Sequence, residues 1–452
     1  MNAISQASQS LPSLPKFFAI GPTIFAEDYL LHLAKTSGFL KRTPRKIDAC
    51  GLLASLCAQC LNVTPSYNDL AARMEASCPD HGPSRQAVAL RFGKSFETFI
   101  EFILGDVIAH RLAGDHAHPE SPAERFGGYQ RVLVQDSTVI KLPGHLYADF
   151  SGVSNGPSSV CNARIQATYD LISSRLVGFS IDPYSKNDLA AAPELPIQAG
   201  DLVLRDRGYL AADEVCRTHA ADADCIYRHK TGTIYLDPQT LQPIDLPALL
   251  RSQQWLDMQV LLNNPSHTPV RLLAAPVDKE TANLRRMKAK KETRGHNPSK
   301  AVLELMDWTI FITTIAEARA DFDRILALYG LRWRIEVIFK AWKSHMKFHL
   351  LHRVSKCQLI ILLKARLLLI TCATNILHGP LAVGLRQRYQ RRLSLLKFMR
   401  YLSGGQENFL RALRALLNGA APLHTFHKAL VRYCCYDKRK RQNYCDVWEA
   451  LA

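Results

Sequence analysis

Between Tyr329 and Lys343 the chain reads YGLRWRIEVIFKAWK, and its polar residues recur at helical spacing. Turning by about 100° per residue from Tyr329, Arg332 falls at about −60°, Glu336 at about −20°, Lys340 at about +20° and Lys343 at about −40°. One carboxylate therefore stands among three cations and a phenol. Leu331, Ile335, Ile338, Trp342 and Met346 form an apolar stripe on the other side that would anchor the helix to a core. Taken alone, the charged face is equally well a solvated ladder in which Glu336 pairs with Lys340, worth about 0.2–0.5 kcal/mol. Two other segments raise the stakes. VLVQDSTVI sets Asp136 in an apolar strand, where a carboxylate without a partner is costly, and VLRDRGY ends a second apolar strand with Asp206. Strand-end carboxylates that converge with a helix-borne Glu make a hard oxygen ligand set suited to Mg²⁺ or Mn²⁺. Two such ions would serve phosphoryl transfer, one activating the attacking oxygen and the other steadying the leaving one. Each Asp by itself is also a common turn cap. Asp188, after a Pro-containing loop, and Asp201, at the start of its strand and so at the end away from Asp206, are the weaker competitors. Glu292, inside a basic run, is expected to pair locally.

The elements that would position these groups fall into blocks. Residues 21–115, after a flexible start over 1–20, show helical periodicity in IDACGLLASLCAQCLNV, SYNDLAARMEA and SRQAVALRFGKSFETFIEFIL. Ser66 with Asp69 makes a capping box, and Ser84 can cap the next helix. Arg85, Gln86 and Arg91 are candidates for recognising DNA. The SCPDHGP connection is longer than a helix-turn-helix turn, so a plain helical bundle is the competing reading. After a Pro- and Gly-rich linker, residues 126–229 carry short β-branched runs, with a helix expected over 210–219, and 302–376 resume the core-like pattern with DWTIFITTI. Between them, 230–301 read as a β-rich insertion containing the basic run LRRMKAKKETR. Residues 377–452 are helical and end in DKRKRQNY. The fold class is thus an α/β core interrupted by a β-rich insertion, with helical regions at both ends.

Composition narrows the function. At 452 residues, 47% apolar and 21% charged, the chain is neither a stapled peptide nor a disordered one. Its formal charge of +17 favours a polyanionic partner, nucleic acid first. The twelve irregularly spaced cysteines and a start without basic and apolar leader regions suggest the cytoplasm. No membrane span is expected, because the most apolar stretch, 359–377, carries Lys364 and Arg366 in its middle. Cys57, Cys60, Cys78 and His81 have zinc-like spacing, yet Cys50, Cys57 and Cys60 share one apolar helical face, where free thiols usually sit as small core residues. Lys41, Arg42, Arg45 and Lys46 form a basic cluster that is either a solvated face or a phosphate contact.

Taken together, these residues resemble the insertion-sequence type four family of DDE transposases. Its signature of Tyr, two residues, Arg, three residues, Glu, six residues and Lys is matched by Tyr329, Arg332, Glu336 and Lys343. The two Asp motifs are matched by Asp136-Ser137-Thr138 and Asp206-Arg207-Gly208-Tyr209, and the 130 positions from Asp206 to Glu336 leave room for the family's β insertion. The resemblance spans about residues 130 to 380. It implies a ribonuclease H-like core in which Asp136, Asp206 and Glu336 bind two Mg²⁺ or Mn²⁺ ions and cut double-stranded DNA at element ends. It also implies cut-and-paste transposition through a hairpin, followed by joining to target DNA. Tyr329, Arg332 and Lys343 would hold phosphates, with Lys340 and Arg207 as further candidates. Trp255 and Trp308 are candidates for stacking on a flipped base. Bringing two ends together would call for a homodimer on DNA. The rival readings are a nuclease of the same fold and a DNA-binding regulator descended from a transposase.

Overall fold

The computed structural model describes residues 25–42, 46–60, 66–77, 82–109, 126–153, 160–193, 195–292, 297–351, 353–404, 408, 424–437 and 451. The expected flexible start, Cys78, His81, the Glu292 side chain and the basic tail from 438 lie outside the described residues.

The N-terminal region contains α1 (Glu27–Thr36), α2 (Ala49–Cys60), α3 (Tyr67–Ser77), α4 (Arg85–Arg91) and α5 (Lys94–Ala109). The capping expectations hold: Ser66 Oγ accepts from the Asp69 amide at 3.1 Å while Asp69 Oδ2 accepts from the Ser66 amide at 2.9 Å, and Ser84 Oγ accepts from the Ala87 amide at 3.2 Å. There follow β1 (Arg131–Lys141), β2 (Asn162–Asp170), β3 (Arg175–Pro183), the short α6 (Asp188–Ala191), β4 (Asp201–Arg205), α7 (Ala212–Ala220) and β5 (Asp224–Arg228). The next segment holds β6 (Tyr235–Leu236), α8 (Leu246–Arg251), β7 (Leu256–Leu262), β8 (Pro269–Pro276), α9 (Lys279–Glu292), α10 (Lys300–Leu305) and β9 (Trp308–Thr313). The chain closes with α11 (Phe322–Gly330), α12 (Trp333–Ser344), α13 (Lys356–Thr371), α14 (Gly379–Tyr389), α15 (Leu395–Ser403) and α16 (His424–Tyr433).

The strands make one mixed nine-stranded sheet in the order β3-β2-β1-β4-β5-β9-β8-β7-β6. Strands β1, β4 and β5 run parallel to one another, whereas β2 and β3 are antiparallel neighbours on one flank and β9 is antiparallel to β5 on the other. The segment 230–301 therefore does not build a separate sheet. Through the β8–β9 pairing its strands extend the core sheet, and its basic run forms the helix α9.

Side-chain alternation along β1 divides the molecule into two layers. Val132, Val134 and Ile140 join a core with the N-terminal helices, α11, α12 and α13. Leu133 faces the other way, into a core with Val203, Tyr209, Val215, Leu246 and Leu250. Helix α13 continues through a π-helical stretch (Cys372–His378) into α14. This is the one stretch among the described residues long and apolar enough to cross a membrane, but 89% of its apolar window is buried in the protein. Its cations are accounted for. Lys364 Nζ meets Glu97 at 2.8 Å and Glu101 at 3.0 Å, tying α13 to α5, and the buried Arg366 donates to the carbonyls of Phe348 and Leu350.

Candidate active site

The parallel register of β1 and β4 places the first two acids. Their pairs run from Arg131↔Asp201 to Gln135↔Arg205, so Asp136 and Asp206 are the next residues along two adjacent strands, about 4.8 Å apart in a sheet. There β4 turns away into a short 3₁₀ turn (Arg207–Tyr209), with Asp206 as the residue before it. Strand β1 runs on to Lys141, leaving its β4-side edge open beyond Gln135. Asp201 lies at the opposite end, clamped by Arg131 at 2.8 and 2.5 Å, as its strand position requires.

The third acid arrives on α12. Helix α11 is capped by Asp321, whose side chain accepts from the Arg324 amide, and it passes into α12 through a tightened turn in which the amides of Arg332 and Arg334 bond to the carbonyls of Tyr329 and Leu331. All five residues of the expected apolar stripe are buried, which fixes the rotation of α12. Its polar face therefore looks onto the strand ends. Arg332 is the hub: one guanidinium nitrogen lies 2.9 Å from Asp136 Oδ2 and the other 2.9 Å from Glu336 Oε1. The Tyr329 hydroxyl donates to Asp206 Oδ1 at 3.3 Å. Lys343 donates from Nζ to the Val139 carbonyl on the open edge of β1 at 2.8 Å. Glu336 thus pairs with the arginine one turn before it, while Lys340 is exposed.

Electrostatics match this crowding. Burial pushes the Asp136 carboxyl up to about 6, with Asp206 and Glu336 pressing the same way against the pull of the Ser137 amide and Arg332. Burial opposes the Arg332 charge, but Tyr329 and the three carboxylates outweigh it and raise its pKa. Burial raises the Tyr329 hydroxyl and lowers Lys343. As placed, Arg332 stands where a cation would be drawn, and among the described residues no three His, Cys, Asp or Glu side chains are close enough to share an ion. The donor chemistry nevertheless fits a divalent metal, since half-buried carboxylates from two strands and a helix are gathered around the Arg332 guanidinium and the Tyr329 phenol.

The remaining predicted residues are dispersed. Arg207 is exposed beside Asp206. Trp255 is 58% exposed ahead of β7, and Trp308 is half-buried at the start of β9. Arg85 and Gln86 are exposed on α4, whereas Arg91 donates to the Phe39 carbonyl at 3.4 Å and lies over the Phe39 ring. Cys50, Cys57 and Cys60 are buried thiols of the helical core. Asp188 pairs with Arg164. Trp333, 63% exposed at the head of α12 and next to Arg332, also borders the polar face of that helix. Its place on the helical wheel, about +40° from Tyr329, already put it beside the charged face.

The family model described as the transposase DDE domain matches residues 128–376, more than half of the chain. The chain belongs to the DDE transposase family. It is accordingly a DNA transposase of the insertion-sequence kind, an enzyme that cuts and joins DNA strands in a divalent-metal-dependent reaction. Among curated relatives, the transposase for insertion sequence element IS231B of Bacillus thuringiensis subsp. berliner is 25% identical over 71% of this chain and 71% of its own length. That for IS231D of Bacillus thuringiensis subsp. finitimus is 26% identical over 72% and 74%. A solved piggyBac transposase synaptic complex with hairpin DNA overlays 96% of this chain and 88% of that one at 10% identity, with a TM-score of 0.43, too distant a likeness to carry an argument.

Proposed function

We propose that this transposase is of the insertion-sequence type four kind, that its core is ribonuclease H-like, and that Asp136, Asp206 and Glu336 are its catalytic carboxylates. The observation that carries the reading is the register that sets Asp136 and Asp206 side by side on parallel strands, with Arg332 joining Asp136 to Glu336. Strand order and direction over β3-β2-β1-β4-β5 support the core assignment. The three acids would hold two Mg²⁺ or Mn²⁺ ions, which when bound supply an activated attacking oxygen and a stabilised leaving oxygen. The chain's own residues do the rest. Arg332, relieved of its acids, would fork onto a phosphate of the DNA end, Lys343 would leave the Val139 carbonyl for the same backbone, and Tyr329 would hold the phosphate beside Asp206. Lys340 and Arg207, both exposed, extend that cationic rim.

Strand transfer would run through a hairpin at the element end. Such tight bending favours an unstacked base, and Trp333 is better placed than Trp255 or Trp308 to receive it. End recognition would fall to Arg85 and Gln86 in the region 21–115, with the core over 126–229 and 302–376, the insertion over 230–301 and a basic C-terminal region over 377–452. A homodimer on double-stranded DNA would bring two ends together, in the cytoplasm.

The test incubates purified protein with supercoiled plasmid carrying the DNA that flanks the gene, with Mg²⁺ or chelator, beside Asp136→Ala, Asp206→Ala and Glu336→Ala. Excision at defined ends that needs the metal and all three acids is expected, with DNA binding kept by the variants. Cleavage by any one of the three would sink the assignment.

A further inference from the structure

On the face of the sheet turned away from the three acids lies a second polar cluster, directly behind the strand ends that carry Asp136 and Asp206. Its members come from four elements. Ser137 of β1 is paired across the ladder with Gln166 of β2, and Val139 with Arg164, so Ser137, Gln166 and Arg164 project from one face. Asp188, the first residue of α6, closes the cluster from above, and Tyr209, three residues after Asp206, enters from the turn that follows β4.

The connections are specific. Asp188 Oδ1 accepts from Ser137 Oγ at 2.7 Å and pairs with Arg164. The Asp188 carbonyl accepts from Gln166 Nε2 at 2.6 Å, and Gln166 Oε1 accepts from the Tyr209 hydroxyl at 3.2 Å. Arg164 is fixed by the Lys186 carbonyl at 3.1 Å and lies over the Tyr184 ring at 4.6 Å. Arg164, Gln166 and Tyr209 are all buried, whereas Asp188 is a third exposed.

Burying an ion pair in this position adds little to stability, because desolvation offsets most of the attraction and an apolar pair of like volume would serve as well. What a polar cluster offers here is direction. Ser137 is held from behind through its hydroxyl, and its backbone amide donates to Asp136 Oδ1 at 2.8 Å on the other face. Any shift of Ser137 is therefore passed to the Asp136 carboxylate. Tyr209 anchors the turn that aims Asp206, and Gln166 ties Tyr209 to Asp188. Both aspartates are thus referred to a single residue at the head of α6, Asp136 to the Asp188 carboxylate and Asp206 to the Asp188 main-chain carbonyl.

We propose that Arg164 and Asp188 are positioning residues: the Asp188 carboxylate, held by Arg164, fixes Ser137 and through it Asp136, while the Asp188 main-chain carbonyl holds the Gln166–Tyr209 link behind Asp206, so that together they set the grip of the Asp136 and Asp206 carboxylates on a divalent cation. The inference rests on the assignment of those two aspartates to the metal site. Residues that orient metal ligands from outside typically alter affinity by about 10–100-fold when lost.

The experiment measures Mn²⁺ binding to the full chain by electron paramagnetic resonance of free Mn²⁺, without DNA, together with melting in chelator. Asp188→Asn, Ser137→Ala and the charge-free double variant Arg164→Met/Asp188→Leu are compared with Asp136→Ala. The double variant leaves no unpaired buried charge, so its melting temperature in chelator should stay close to that of the unaltered chain. Its Mn²⁺ affinity should nevertheless fall by about tenfold or more, and plasmid nicking should then need correspondingly more Mn²⁺. Ser137→Ala should show the same loss with no charge removed, and it decides the matter should the double variant fail to fold. A folded double variant or Ser137→Ala with Mn²⁺ affinity within twofold of the unaltered chain would overturn the proposal. Asp136→Ala separates the two levels: if it too binds Mn²⁺ normally, the metal-site assignment falls and takes this inference with it, whereas loss in Asp136→Ala alone refutes only the positioning role.

Discussion

Replacing Arg332 with Gln should expose the balance on which the site rests. Arg332 is 10% exposed at its side chain and Asp136 20%, at a separation of 2.9 Å, so removing the cation leaves a largely buried carboxylate without its partner. Such a loss costs about 3–5 kcal/mol. The second pair, to Glu336, is 34% exposed and is discounted to about 1 kcal/mol or less. Together they predict that Arg332→Gln is less stable than the unaltered chain by roughly 3–5 kcal/mol in chelator, since the Glu336 contribution lies within the spread of the first. A divalent ion is attracted to the same carboxylates and should replace the missing guanidinium charge. In millimolar Mn²⁺ the deficit should therefore shrink by at least half, because the ion no longer has to displace Arg332. Urea unfolding followed by tryptophan fluorescence, in chelator and in Mn²⁺, reads both values. The signal is apt because Trp342 of the same helix is fully buried and Trp333 is exposed. Equal stability of the two proteins in chelator, or a deficit of the same size with and without Mn²⁺, would refute the view that Arg332 and the metal answer the same charge.

Two further outcomes follow from groups away from the acids. His378 is buried in the π-helical stretch, and burial, helped by Arg334, holds its imidazole down to about 3. The native state keeps it neutral while the unfolded chain takes a proton below its ordinary value of 6.5, so stability is lost as pH falls from there toward about 3, by about 2 kcal/mol at pH 5. His378→Leu should remove that share, so the stability difference between the two proteins should shift by about 2 kcal/mol in favour of the variant between pH 7.5 and pH 5 in urea titrations; a difference independent of pH would contradict it. On the exposed side of α9, Lys290→Gln with Lys291→Gln should weaken DNA binding and flatten its dependence on log salt by about two, one for each phosphate no longer neutralised. An unchanged salt slope would remove α9 from the DNA-binding surface.

The legible parts of this molecule were those whose information is local. Periodicity alone oriented α12, because Leu331, Ile335, Ile338, Trp342 and Met346 can be buried together in only one rotation. An acid in one apolar strand and an acid closing another singled out Asp136 and Asp206, and its place at the start of β4 sends Asp201 to the far end, where Arg131 holds it. The opaque parts depend on which distant segments meet. Nothing in TIYLD, DMQVLL or VRLLAAPV says that these strands continue the core sheet through β9, since a strand's pattern reports its faces and not its neighbours. For the same reason the helical pattern leaves Glu336 equally able to pair with Lys340 or with Arg332, each four residues away, and the arrival of Asp136 from β1 is what brings Arg332 to both acids. Asp188 is the sharpest case. Its sequence position made it a failed competitor for the metal, yet it stands one ladder face behind Asp136, bonded to the residue that follows it. A carboxylate near a metal site can serve by aiming the ligands, and only the register of β1 on β2 distinguishes that task from ligation.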